Sequence, residues 1–162
     1  MSTRALLDGA RARLTDAPRE ALGELIVPRK VLGVGRSPRI VRRGAAWHLG
    51  VLLLTDDAVL TTGDIVRARQ EVRRGFAAES QRQRAELAAA ARRGGLAEGE
   101  TVHIGWQELD PDAVERGAAS GPLALRDGVV SVRWSAAGGF MPLAAYLDER
   151  VELLRHPPAG AS

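Results

Sequence analysis

Trp47-His48-Leu49-Gly50-Val51-Leu52-Leu53-Leu54-Thr55-Asp56-Asp57-Ala58-Val59-Leu60-Thr61-Thr62 is the stretch on which the fold turns. Trp47, Leu49, Val51 and Leu53 alternate with His48, Gly50, Leu52 and Leu54, the period of a strand whose two faces both become aliphatic, as in a covered sheet. Thr55-Asp56-Asp57 supplies a turn, because aspartate side chains hydrogen-bond to nearby backbone. Ala58 to Thr62 then returns as the second arm of a hairpin, which Gly63 closes.

Working outward towards the N-terminus, Leu6, Leu7, Ala10 and Leu14 fall at helical spacing. Pro18 suits the start of a second helix, with Leu22, Leu25 and Ile26 as its stripe and Pro28 as its end. Residues 1–28 are therefore expected to be helical. Val31-Leu32 and Ile40-Val41 are short β-prone pieces among glycines and Pro38. Towards the C-terminus, residues 64–95 are expected to form a helical insertion: Arg67 to Arg93 is rich in Ala, Arg, Glu and Gln. Val72, Phe76 and Leu87 are its large apolar residues, and Gly94-Gly95 its stop.

Val102, Ile104 and Trp106 alternate with Thr101, His103 and Gly105 as a strand. Asp110-Pro111-Asp112 and residues 117–122 read as loop. Leu123-Ala124-Leu125, the turn Arg126-Asp127-Gly128 and residues 129–134 read as a second hairpin, with Val130, Val132 and Trp134 on one side and Ser131 and Arg133 on the other. A final helix over 141–156 carries Leu143, Tyr146, Leu147, Val151 and Leu154 on one face. His156-Pro157-Pro158 ends it, leaving 159–162 as a flexible tail. The expected fold is α+β: one domain over 1–158, with a small antiparallel sheet or partly open barrel and helices at both ends.

Composition removes several function classes. The chain has 162 residues, 45% of them apolar, and no cysteine, so thiolate chemistry and Cys-ligated metals are excluded. Its 38 leucine, valine and isoleucine residues suffice for a core, which excludes disorder. The run Val51 to Leu54 is far short of the roughly 20 residues of a membrane helix. The sequence pI of 10.4 reflects arginine, which stays protonated at high pH, and not a large net charge, which is only +3. No secretory h-region follows Met1, and a cysteine-free chain fits a reducing compartment, so a cytoplasmic location is expected.

Gly50 to Leu60 resembles the strand–turn–strand pattern of bacterial pleckstrin-homology-like and GRAM-type domains. That resemblance implies further antiparallel strands leading to a C-terminal helix, with 1–28 and the insertion after Gly63 outside the common pattern. The stretches 42–50 and 73–80 also resemble a family of small actinobacterial proteins labelled glutaminases, which implies amide hydrolysis. One glutaminase class uses a cysteine, absent here. The serine class uses Ser-x-x-Lys, and Lys30, the sole lysine, has no serine three residues before it. A serine–histidine–acid arrangement would have to draw on Ser80, Ser120, Ser131 or Ser135 with His48 or His103, without a nucleophile elbow to support it.

His48 and His103 each sit beside a glycine and near a tryptophan in a strand. Together they could reach a metal; lacking a short ligand spacing, they read instead as half-buried histidines bonded to backbone or water, and no metal or cofactor is expected. Arg133-Trp134-Ser135-Ala136-Ala137-Gly138-Gly139 could turn backbone N–H groups towards an anion, with Arg133 pairing a carboxylate or phosphate. Arg133, Ser135, Gly138 and Gly139 are the ligand-site residues, and the alternative is an ordinary turn. Arg67, Arg69, Arg73, Arg74, Arg82, Arg84, Arg92 and Arg93 interleave with Glu71, Glu79 and Glu86, which suits a solvated helix more than a phosphate-binding one. The expected function is a non-catalytic interaction or ligand-binding domain, its partner another protein or a second copy of the chain. The alternatives are a small amidohydrolase acting on glutamine or a related amide, and a nucleic-acid binder using the arginine-rich helix.

Overall fold

Ser2 opens the first helix by accepting a hydrogen bond from the Ala5 amide at 3.1 Å, the usual way an N-cap satisfies a free helical N–H. This computed structural model describes residues 1–30, 32–71, 75 and 78–161. In chain order the elements are α1 (Thr3–Arg13), β1 (Glu20–Ile26), β2 (Arg39–Leu49), β3 (Leu52–Leu54), β4 (Val59–Thr61), β5 (Asp64–Arg67) and α2 (Glu79–Arg93). They continue with β6 (Thr101–Ile104), β7 (Gln107–Glu108), α3 (Pro111–Glu115), β8 (Leu123–Arg126), β9 (Val129–Arg133), β10 (Phe140–Pro142) and α4 (Leu143–Arg155). The protein is α+β. Seven strands are hydrogen-bonded in the order β5-β6-β1-β2-β3-β4-β7, and three in the order β10-β9-β8. The longer sheet is mixed because β1 and β6 run parallel, so the expected all-antiparallel sheet is corrected; the strand order is open-ended and not a closed barrel.

The residues group into two compact units. The first comprises Met1–Arg19, Ala46–Thr62 and Gln107–Ser162, and the second Glu20–Ala45 and Gly63–Trp106. In the first, α1 contributes Leu7, Ala10 and the following Leu14, while α4 contributes Leu143, Tyr146, Leu147 and Val151, to one core with Leu52, Leu54, Leu123 and Val132. The α4 face matches its sequence period, with Leu154 packed at the edge. The 47–54 stretch is not one strand, however. It bends at Gly50, whose φ of +65° suits glycine, so that Leu49 pairs with Leu52 and Trp47 with Leu54. The Tyr146 hydroxyl fastens that bend: it donates to the Leu49 carbonyl and accepts from the Val51 amide, both at 2.8 Å. The expected 55–57 turn is present, pairing Leu54 with Val59. Asp110 caps α3 through the Ala113 amide, so residues 111–115 are helix and not the expected loop.

The second unit departs furthest from expectation. Residues 20–26 form β1, a strand where a second helix was predicted, and 64–67 form β5 before the helix begins. Gly23 explains the first difference. Glycine costs about 1 kcal/mol in a helix, and here a Cβ would stand 2.6 Å from both the Ile40 and Val102 methyl groups. The parallel neighbour β6 packs against that bare backbone, pairing Ala21 with Val102. The helix over 67–93 shortens to Glu79–Arg93 and stops at Gly94, as its glycines indicated. Its expected apolar residues Val72 and Phe76, with Arg73 and Arg74, lie outside the described residues, as do Val31 and Ser162 of the tail.

Two outcomes test these contacts. Tyr146→Phe should cost about 1–3 kcal/mol, because the Leu49 carbonyl and Val51 amide lose their shared partner. Burial holds the Tyr146 phenol above its ordinary value, outweighing the Val51 amide and Arg150, which pull it down. Its contribution is therefore complete below the unfolded value of about 10 and is lost as pH rises through the folded one. Thermal melts against pH should show that alkaline decline in the wild type and less of it in Tyr146→Phe. In the second unit, Gly23→Ala should destabilise by about 1–3 kcal/mol through overpacking, whereas Gly44→Ala should change little, since its Cβ would lie 3.8 Å from Leu22. Urea unfolding of the two variants compares them directly.

Candidate functional site

Asp127 and Gly128 have φ of +52° and +78°, the geometry of a two-residue hairpin turn, and so fix the register of β8 on β9. Arg126 then pairs with Val129, and Leu123 with Val132; across the other edge Phe140 pairs with Arg133. Strand alternation sends Leu123, Val132 and Met141 to the core of the first unit. It leaves Arg126, Val129, Arg133 and Phe140 on the opposite face, where both arginines and Val129 are exposed. On that face Ser131 is buried, its hydroxyl donating to the Val129 carbonyl at 3.1 Å.

Phe140 organises the face. The Arg126 guanidinium carbon lies 4.6 Å from the ring centroid and that of Arg133 5.3 Å. A cation over a ring face is held by the ring quadrupole, by about 0.5–1 kcal/mol at an exposed position. Among the described residues neither guanidinium has a carboxylate partner. Two positive charges are thus fixed over one aromatic ring and remain uncompensated. Beside them Trp134 is 49% exposed, with its indole against Gly139, instead of sharing the buried side of Val130 and Val132 as its alternation suggested.

The structure does bring Arg133, Ser135, Gly138 and Gly139 together, in the connection from β9 to β10. Within the turn the Gly138 amide donates to the Ser135 carbonyl and the Trp134 amide to the Gly139 carbonyl, each at 3.1 Å. It leads into β10 before α4 begins. Arg133 is exposed, and its guanidinium has no ion pair among the described residues. Arg126 and Phe140 were missed by sequence reasoning, which saw the first only as a turn residue. The available signal was the register: an Asp-Gly turn places Arg126 beside Val129, on the face of Arg133.

The histidines belong to different units. In the first, His48 Nε2 donates to the Gly50 carbonyl at 3.0 Å. In the second, His103 is completely buried, not half-buried, and its Nε2 donates to Glu20 at 3.1 Å. The α2 arginines are largely engaged locally: Arg82 with Glu79 at 3.2 Å, Arg92 with Glu98 at 3.4 Å and Arg93 with Glu71 at 3.9 Å. Among the described residues no helix is long and apolar enough to cross a membrane.

The first unit also holds a cavity of about 590 Å³ with the opposite charge. Arg4, Asp8 and Arg11 of α1, Asp56 and Asp57 of the β3–β4 turn, and Glu108, Asp110 and Asp112 around β7 and α3 line it. Asp8 pairs with Arg11, Asp112 with Arg4, and Asp56 with Arg19, each at 2.7 Å. The Arg19 guanidinium holds the Asp56 carboxyl below its ordinary value. Asp57 and Glu108 have no cation among the described residues. Sequence reading did not find this cavity, because its acidic residues come from segments some fifty positions apart. No protein-family model, curated protein or solved structure matches the chain.

Proposed function

We propose that this chain is a cytoplasmic, non-catalytic binding domain of the pleckstrin-homology-like kind, taking an anionic partner on the Arg126–Phe140–Arg133 face. The observation that carries the reading is the pair of exposed guanidiniums held over Phe140 without a carboxylate partner among the described residues. A stacked guanidinium is already oriented, so less side-chain freedom is lost when it forks onto an oxyanion. Trp134 supplies apolar area next to the charges, the mixture that binding surfaces favour.

Amide hydrolysis draws less support from the same geometry. A histidine acting as general base must reach the reacting proton. His103 is sealed from solvent against Glu20, and the Nε2 of His48 is committed to a backbone carbonyl. In the arginine-rich stretch that a nucleic acid would use, Arg82, Arg92 and Arg93 already pair with glutamates, whereas Arg67, Arg69 and Arg84, without an ion pair among the described residues, are spread over β5, the segment after it and α2.

A fluorescently labelled hexaglutamate peptide titrated with the whole protein checks the reading by anisotropy. Binding should weaken with salt and fall at least about tenfold in Arg126→Gln and in Arg133→Gln. Binding that is absent, or indifferent to both substitutions, overturns it. Ammonia release from glutamine that disappears in His103→Ala would establish the amidohydrolase instead.

A further inference from the structure

The cationic face and the acidic cavity lie in one unit of one chain, each with charges that have no ion pair among the described residues. Arg126 and Arg133 stand over Phe140. Asp57 and Glu108 are exposed at the cavity wall. Asp8, Asp56 and Asp112 of the wall are already in ion pairs; Asp110 caps α3 and Asp57 accepts from the Thr55 hydroxyl at 3.1 Å, bonds that leave both carboxylates without a cation among the described residues. We propose that the anionic partner of the Arg126–Phe140–Arg133 face is the acidic cavity of a second copy of this chain, so that copies associate head to tail. This rests on the reading of that face as an anion-binding surface and adds the identity of its occupant.

Three features of the two surfaces favour a second copy over an unrelated partner. The charges are complementary: two guanidiniums without an ion pair would meet a wall on which Asp57, Glu108 and Asp110 have no cation among the described residues. The receiving surface is a hollow built from α1, the β3–β4 turn and the β7–α3 segment, so it can enclose projecting side chains, whereas the donating surface is a sheet face from which they project. Neither surface complements itself, since like charges would oppose across a two-fold axis. A contact between unlike surfaces is heterologous and propagates into rings or open chains.

The test uses the full chain and two charge-reversed variants. One carries Arg126→Glu with Arg133→Glu, the other Asp57→Arg with Glu108→Arg; all four positions are exposed, and matched melting curves establish that each variant is folded. Sedimentation velocity at about 0.05 M salt should show the wild type forming concentration-dependent oligomers, which dissociate at about 1 M salt, where charges are screened within a few ångströms. Each variant alone should associate at least about tenfold more weakly. Their equimolar mixture should regain association. The first variant keeps a native cavity and the second a native face, and their reversed surfaces carry opposite charges, so head-to-tail docking requires the two variants to bind each other where neither binds itself.

A wild type that stays monomeric at low salt, or a mixture in which the two variants do not bind each other, overturns the proposal. The hexaglutamate titration separates the two levels of failure. Peptide binding that depends on Arg126 and Arg133 in a chain that never self-associates retains the anion-binding face and removes the second copy as its occupant. Loss of both removes both.

Discussion

The first unit depends on one hydroxyl group. A bend at Gly50 turns β2 back onto β3 and leaves the Leu49 carbonyl and Val51 amide facing α4 instead of a neighbouring strand. Such groups are costly when buried without partners. Tyr146 satisfies both at once, one as donor and one as acceptor. It thereby sets the position of α4 along its axis, since a shift of one residue would carry the hydroxyl away from both. A side chain at position 50 would meet that oxygen at 2.2 Å, so the space at Gly50 and the phenol at 146 define each other. Val132 and Leu123, on the inner side of the short sheet, pack into the same core as Tyr146. The outer side, with Arg126 and Arg133, is thus presented as a consequence of how the inner side is fixed.

Arginine performs two distinct jobs in this unit. On α1, Arg11 closes over the β3–β4 turn: Nε donates to the Thr55 carbonyl at 2.8 Å and a terminal nitrogen to the Ala58 carbonyl at 3.1 Å, while Asp8 balances its charge. Arg19 bridges Asp56 and the Trp47 ring, 3.8 Å from its centroid. These cations tie segments together and have counterions. Arg126 and Arg133 have an aromatic ring but, among the described residues, no acid, which supplies orientation without neutralisation. Surface pairs are each worth little in stability, about 0–1 kcal/mol, so an arginine without one need not weaken the fold.

Much of the architecture was legible where local chemistry decides it. The Thr55-Asp56-Asp57 turn, the Asp127-Gly128 hairpin, the stop at Gly94 and the apolar stripe of α4 are all set by residues within a few positions of one another. The segment 20–26 was not, because its strand state depends on β6, some eighty residues away, fitting against Gly23. Leu22, Leu25 and Ile26 satisfy a helical period as well as a strand, and only the methyl groups of Ile40 and Val102 distinguish them. His103 was underestimated for a related reason: both faces of β6 are covered, so alternation with Val102 and Ile104 did not place it at the surface.

The candidate site was half legible for the same physical cause. Arg133 and the glycines share one short segment, and their proximity could be read directly. Phe140 and Arg126 join them only through register, since pairing Phe140 with Arg133 and Arg126 with Val129 brings three strands' residues to one face. Backbone N–H groups that already bond within the turn cannot be given to a ligand without losing those bonds. A stacked guanidinium keeps its forked donors for use at its edge while its plane rests on the ring. The register of a short sheet thereby decides which guanidiniums share one aromatic ring.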